Sequence, residues 1–282
     1  MIIKSILAGT FKLDGGAMFG VVPKKIWSKL KMPDANNLCT WALRCLYVEY
    51  GEKKVLIDTG MGNKQEDKFF NHYEPAGTRR IDEALIQNGV DPSGITDVIL
   101  SHLHFDHCGG AFLKNNSGEI FTPFLNADFW VHKSQWLLAL NPNPREKASF
   151  LKENINPLVN KIKYIDETNP PFEKIEFIKV SGHSEGMILP IINITHNKKI
   201  LFGADLFPSI HHIPLPYIMA YDMQPLITLQ EKIEVLHRIV KEKIALFFEH
   251  DPENEMAILD KDDNDRFIVR SSLTLADYLN KD

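Results

Sequence analysis

Cysteine is scarce in this chain. Cys39, Cys45 and Cys108 are the only three in 282 residues, an odd number with no CxxC pair, which excludes a disulfide framework and a thiolate zinc site. No apolar run approaches the roughly 20 residues of a membrane span, and the opening "IIKSILAG" is too short and too soon interrupted for a secretory leader. A soluble, cytoplasmic protein without a membrane partner is expected. Long basic runs are missing as well: 32 Lys and Arg stand against 37 Asp and Glu, a net charge of -5. That leaves no electrostatic footprint for a phosphate backbone and excludes nucleic acid as a partner. There is no Ser/Gly-rich linker and no fixed-period repeat, so residues 1–282 read as a single domain, or two intimate halves, without an assignable boundary. The composition, 44% hydrophobic and 24% charged, is that of an ordinary globular chain.

Short apolar runs between turn residues predict strands at "TWALRCLYVEY" (40–50), "KKVLIDTG" (53–60), "ITDVILSH" (95–102) and "KIEFIKVSGH" (174–183),. "MILPIINITHNKKILFGAD" (187–205) predicts two strands joined by a turn at His196 to Lys198,. Helices are predicted in "TRRIDEALIQNGV" and in "PLITLQEKIEVLHRIVKEK", where Leu226, Leu229, Ile233, Leu236, Ile239 and Val240 mark an apolar face,. Strands and helices therefore mix throughout, an α/β class. Residues 9–38 keep no steady period and read either as a long loop serving as a lid or substrate-binding element, or as a hairpin packed on the core. The charge run "DKDDNDR" (260–266) reads as a solvated loop,.

"SHLHFDHCGG" (101–110) concentrates chemistry. After the strand "DVIL", His102, His104, Asp106 and His107 project three imidazoles and a carboxylate from one short turn, a pattern with a chance of roughly one in a thousand at this composition. Nitrogen and oxygen donors of this kind suit zinc, with manganese, iron or cobalt accepted by the same set. A loop this short cannot surround two ions, so further ligands are expected at strand ends elsewhere. His183 in "VSGHSEG", Asp205 closing "KKILFGAD" and His250 closing "IALFFEH" qualify, each a polar group whose burial coordination would offset.

In this order these residues resemble the metallo-beta-lactamase superfamily over most of the chain. The resemblance implies a four-layer αβ/βα sandwich of two mixed sheets flanked by helices, with a dinuclear site. It assigns His102, His104 and His183 to one ion, Asp106, His107 and His250 to the other, and Asp205 as a catalytic bridge. It also gives Asp58 in "LIDTG" the part of an aspartate behind the ligands that fixes imidazole tautomer; a turn-stabilising role is the alternative. Two divalent ions sharing an aspartate would supply hydroxide from water at neutral pH and polarise a scissile carbonyl or phosphoryl oxygen. No Ser-His-Asp or reactive-cysteine arrangement competes. Asp106 is the candidate to carry a proton to the leaving alkoxide. His104 stands where the superfamily's diiron flavoproteins place a carboxylate, so the chain resembles the hydrolytic rather than the redox members.

"LDGGAMFGVVPKKIW", the histidine cluster and "MAYD" together resemble the quorum-quenching lactonases that open N-acyl homoserine lactones. That resemblance implies a small-molecule lactone substrate and, by analogy, a homodimer. Met18, Phe19, Val21, Val22 and Trp27 would wall a groove for the acyl chain, or else pack as core. The chain departs from the pattern at Pro208, where many lactonases carry a tyrosine donor to the substrate carbonyl. Tyr217, Tyr221 or His212 would have to substitute, and packing along an irregular loop is their alternative, as it is for His211. Cys108 reads as a small packed residue. Other substrates of the same chemistry are a hydroxyacylglutathione-like thioester, a phosphotriester and a beta-lactam. Lys261, Arg266, Arg270 and Lys281 are the only positive charges in 251–282, thin support for a glutathione branch. A non-catalytic sensor holding a small ligand at the same metals is the reading of another class.

Overall fold

The computed structural model describes residues 1–166 and 170–280; Lys281 lies outside them. Two compact units are present. The first comprises Met1–Phe11 and Ala42–Asp166, the second Lys12–Trp41 and Glu167–Asp282.

One six-stranded sheet has the order β1 (Ile2–Asp14), β2 (Leu38–Tyr50), β3 (Lys53–Ile57), β4 (Asp97–Ile99), β7 (Asp128–His132), β8 (Ile162–Ile165), and a small hairpin pairs β5 (Leu113–Lys114) with β6 (Ile120–Phe121). The second six-stranded sheet has the order β14 (Phe267–Leu273), β13 (Met256–Lys261), β12 (Ala245–Phe247), β11 (Lys198–Phe202), β10 (Met187–Thr195), β9 (Ile175–Val180). Both sheets are mixed: β2 is antiparallel to β3, while β3, β4, β7 and β8 run parallel. In the second sheet β11 and β12 are parallel and the other pairs antiparallel. The continuous apolar runs explain the centres. "WALRCLYV" in β2 is buried from Trp41 to Val48, the composition of a strand covered on both faces rather than one,.

The strands end early where chemistry begins. The run 95–102 forms a strand only over Asp97–Ile99, and the remainder is loop. In the parallel pair β3/β4, Ile57 registers with Ile99, so Asp58 and the histidine loop leave the sheet at the same edge. In β11/β12, Phe202 registers with Phe247, which places Asp205 and His250 each three residues past a matched pair. β9 runs in the same sense as β11, so His183 exits at that edge too. Ligand-bearing loops at the carboxyl ends of strands are the common arrangement of α/β sheets.

Glycines let two loops of the first unit lie backbone on backbone. A Cβ on Gly109 would stand 1.9 Å from the Met61 carbonyl oxygen, and one on Gly110 2.1 Å from that of Thr59. The contact is sealed by Thr59 N–H to His107 O at 2.7 Å and Gly110 N–H to Gly60 O at 3.0 Å, and the buried Lys64 ammonium donates to the carbonyls of Gly109 and Phe112.

Two expectations are corrected. Of the two readings of residues 9–38, the long irregular loop is not what forms and the packed hairpin is nearer: β1 continues to Asp14, helical turns follow at Gly15–Phe19 and Lys24–Trp27, and β2, the neighbour of β1 in the sheet, begins at Leu38. Asp14 holds the base, its carboxylate accepting Ala17 N–H and the Asn37 side-chain amide, both at 2.8 Å, an N-cap that periodicity does not reveal. In the helix Pro225–Glu242, Leu236 and Ile239 of the expected face are buried and Leu229, Ile233 and Val240 half-buried, but Leu226 is 81% exposed and Thr228, Lys232 and Val235 join the buried side. Lys232 lies among them with its ammonium donating to the carbonyls of Pro214 at 3.0 Å and Tyr217 at 2.8 Å. A lysine satisfied this way is tolerated on a buried face.

Gly109→Ala is expected to destabilise the fold by about 1–3 kcal/mol through overpacking, read by urea unfolding; an unchanged midpoint would refute the backbone contact. Burial lowers the Lys232 ammonium from 10.5 to about 7. Between those values the unfolded chain binds a proton that the folded chain has released, so this group makes stability rise with pH from about 7 toward 10.5,. Lys232→Met is expected to flatten that rise in unfolding measured across this window.

Candidate functional site

In the first unit, His102, His107 and Asp58 are fully buried, and His104 and Asp106 nearly so. Asp58 sits in the left-handed region at φ 55°, a conformation aspartate tolerates better than most. Its Oδ1 accepts Ser101 N–H at 2.7 Å, and its Oδ2 accepts the Ser101 hydroxyl at 2.6 Å. Oδ2 also faces His107 Nδ1 at 3.0 Å. Since a carboxylate only accepts, His107 carries its proton on Nδ1 and presents the Nε2 lone pair, 3.7 Å from Asp106 Oδ2,. The Ser101 hydroxyl donates its hydrogen bond to Asp58, so at 3.1 Å from His102 Nδ1 it accepts from that nitrogen, which puts the His102 lone pair on Nε2. His104 is turned the other way. Its Nε2 donates to Glu146 Oε1 at 3.0 Å, which leaves Nδ1 as the donor atom.

Glu146 is itself fixed. Its Oε2 accepts the Asn143 side-chain amide at 3.0 Å, and Phe150 packs edge-on to His104 with ring centroids 5.1 Å apart. The rings of His102 and His104 lie 4.5 Å apart, those of His102 and His107 3.9 Å.

In the second unit Asp205 faces two imidazoles, with His183 Nε2 3.0 Å from Oδ2 and His250 Nε2 3.0 Å from Oδ1. The other ring nitrogen of His183 lies 2.8 Å from Asp222 Oδ1. Burial pulls the His183 imidazole toward the neutral form, but the carboxylates of Asp205 and Asp222 overcome it and push its pKa to about 10. The two carboxylates thus favour positive charge at this position, which a divalent cation would supply in place of the proton. Ala204, immediately before Asp205, is at φ 39°, where a Cβ costs about 1–2 kcal/mol.

The donor set therefore fits a divalent cation. In each of His102, His104 and His107 one ring nitrogen is anchored by a hydroxyl or carboxylate, and His183 sits between two carboxylates, the kind of anchoring that metal-binding histidines commonly show,. Within each unit these atoms cluster: His102 with His104, Asp106 with His107, and His183 with Asp205 each bring ligand atoms within 4.8 Å of one another.

The loop residues fall differently. The Pro208 carbonyl accepts His250 N–H at 3.1 Å and, as proline, offers no donor. His212 is spent on structure: Ser209 Oγ lies 2.7 Å from Nδ1, and Nε2 donates to Met18 O at 2.9 Å. Its ring stacks on Phe19 at 5.0 Å, and Phe19 stacks on Trp27 at 5.4 Å. Burial drops the His212 pKa to about 3, so it stays neutral. Tyr217 meets Phe19 edge-on, and Tyr221 is half-buried. Met18, Phe19, Val22 and Trp27 are buried, whereas Val21 is 89% exposed. All three cysteines are free and buried; burial raises the Cys39 thiol to about 11 and the Cys108 thiol to about 12.

Sequence reasoning missed Ser101, Glu146 and Asp222. Asp222 closes "MAYD", a stretch already singled out, while Glu146 lies in the charged run "PREKAS" with nothing to distinguish it from a surface acid.

A sequence profile described as the Metallo-beta-lactamase superfamily matches residues 44–113. An N-acyl homoserine lactonase of Bacillus thuringiensis is 27% identical over 229 residues, 78% of this chain and 84% of the relative. A solved structure described as a probable metal-dependent hydrolase from Staphylococcus aureus is 27% identical, with a TM-score of 0.85 over 97% of this chain and 98% of that one. A dizinc quorum-quenching lactonase, solved with a product, shares the fold at 20% identity, with a TM-score of 0.78 over 96% and 95% of the two chains.

Glu146→Ala is expected to weaken metal binding about 10–100-fold, measured by competition with a chromogenic chelator, with Glu146→Gln in between. Wild-type affinity in the alanine variant would show that Glu146 does not position His104.

Proposed function

We propose, from the premise that this chain carries a metallo-beta-lactamase domain and is a metal-dependent hydrolase, that it opens the lactone ring of N-acyl homoserine lactones at a dinuclear centre. His102, His104 and His183 would hold one ion, Asp106, His107 and His250 the other, with Asp205 shared. The observation that carries the metal reading is the set of imidazoles each anchored through one nitrogen. Zinc suits the nitrogen and carboxylate donors. Support for a lactone substrate comes from the relatives named as N-acyl homoserine lactonases, which match over most of their own length.

When bound, the ions supply Lewis acidity, polarising the lactone carbonyl and acidifying water. The chain's residues do the rest. Ring opening adds the oxygen of one water to the acyl carbon and breaks the ring C–O bond, so the departing ring oxygen needs a proton. Asp106 is the carboxylate assigned to deliver it. Asp58, Glu146 and Asp222 keep the imidazole protons on the nitrogens that face away from the reacting groups. His212, with both nitrogens committed, is not the donor to the substrate carbonyl, and that role falls to Tyr217 or Tyr221.

Purified protein loaded with zinc is expected to hydrolyse N-acyl homoserine lactones, to lose that activity on chelation and to regain it on metal return. A thioester, a phosphotriester and a beta-lactam belong in the same screen; turnover of the thioester alone would overturn the lactone assignment, and binding without turnover would favour the sensor. Asp106→Asn is expected to lower kcat by about 100-fold or more, and full turnover at unchanged metal content would remove Asp106 from proton transfer.

A further inference from the structure

Between residues 15 and 33 the sequence has four lysines and no acid, in a chain whose net charge is -5. The segment is folded. Trp27 N–H donates to Pro23 O at 3.2 Å, Ser28 N–H to Lys24 O at 2.9 Å and Lys31 N–H to Trp27 O at 3.0 Å, two helical turns in succession. Residues four apart share a face. Trp27 and Lys31 form the inner one: Trp27 is buried on Phe19, and the Lys31 ammonium pairs with Glu253 at 2.7 Å. The outer face carries Ile26 and Leu30 side by side, with Lys25 and Lys29 in the adjacent row. Val21 and Met32, 89% and 83% exposed, stand at its two ends. Lys24, Lys25 and Lys29 make no ion pair among the described residues.

We infer that this outer face, Val21 to Met32, docks on a membrane surface bearing anionic headgroups. Protruding aliphatic side chains ringed by ammonium groups are the composition of elements that lie in a lipid interface. Lying there requires no spanning segment, so the lack of any helix long and apolar enough to cross a membrane among the described residues is compatible with it. A protein partner fits the face less well. Lysine is depleted from protein interfaces, and the Trp, Tyr and Arg side chains that anchor them are lacking from this outer face. A second copy docked symmetrically would set the lysines against themselves.

The test is co-sedimentation of the full chain with vesicles of phosphatidylcholine alone and of phosphatidylcholine mixed with phosphatidylserine. The protein is expected to pellet with the mixed vesicles at low salt, to remain in solution with phosphatidylcholine alone, and to be released by high salt. At about fivefold per lysine, Lys25→Glu/Lys29→Glu should cut binding at least about 25-fold. Ile26→Ser/Leu30→Ser should weaken it at unchanged charge, with circular dichroism and sedimentation velocity as for the wild type. Failure to pellet with the mixed vesicles, or pelleting indifferent to both double substitutions, overturns the inference. So does a wild-type dimer that Ile26→Ser/Leu30→Ser splits, which would assign the face to a second copy of the chain.

Discussion

An imidazole that is to coordinate a metal has to be told which nitrogen keeps its proton, and in this protein that instruction comes from oxygen atoms set behind the rings. Asp58 directs His107, Ser101 relays the same carboxylate to His102, Glu146 directs His104, and Asp222 directs His183. Without these partners each ring could flip or change tautomer. Much of the surrounding structure serves this constraint. The glycine contact between residues 59–62 and 109–110 pins the backbone of His107. Lys232 grips the carbonyls of Pro214 and Tyr217 in the loop that leads to Asp222.

Register does at the level of the sheet what these hydrogen bonds do at the level of the ring. Parallel neighbours release their loops at one edge, so residues far apart in sequence emerge together. Ile57 beside Ile99, and Phe202 beside Phe247, fix where Asp58, His102, Asp205 and His250 can stand. The candidate ligands follow within a few residues of that edge: His102, His183, Asp205 and His250 each stand three positions past the last strand residue, Ile99, Val180, Phe202 and Phe247.

The parts legible in the sequence are those where chemistry and pattern coincide. His102, His104, Asp106 and His107 fall within six positions, and His183, Asp205 and His250 each close an apolar run, so their place at strand ends could be read directly. Glu146 and Asp222 could not, because one acid among many carries no signal until the fold brings it against a ring. The face of the helix Pro225–Glu242 was legible only in part for a related reason: Leu236 and Ile239 are buried as their spacing implies, but hydrophobic periodicity cannot anticipate that two backbone carbonyls will make a buried lysine acceptable. The segment 9–38 looked irregular because its order comes from a cap on Asp14 and a stack of aromatic rings, neither of which has a period.

The three thiols are sealed inside the protein, and the two whose acidity is shifted, Cys39 and Cys108, need strongly alkaline solution to ionise. The native molecule is thus mute toward maleimides and slow to oxidise in air. One cysteine added at an exposed position would be the sole nucleophilic sulfur on offer, so a fluorophore or spin label could be attached there without first stripping the natural cysteines.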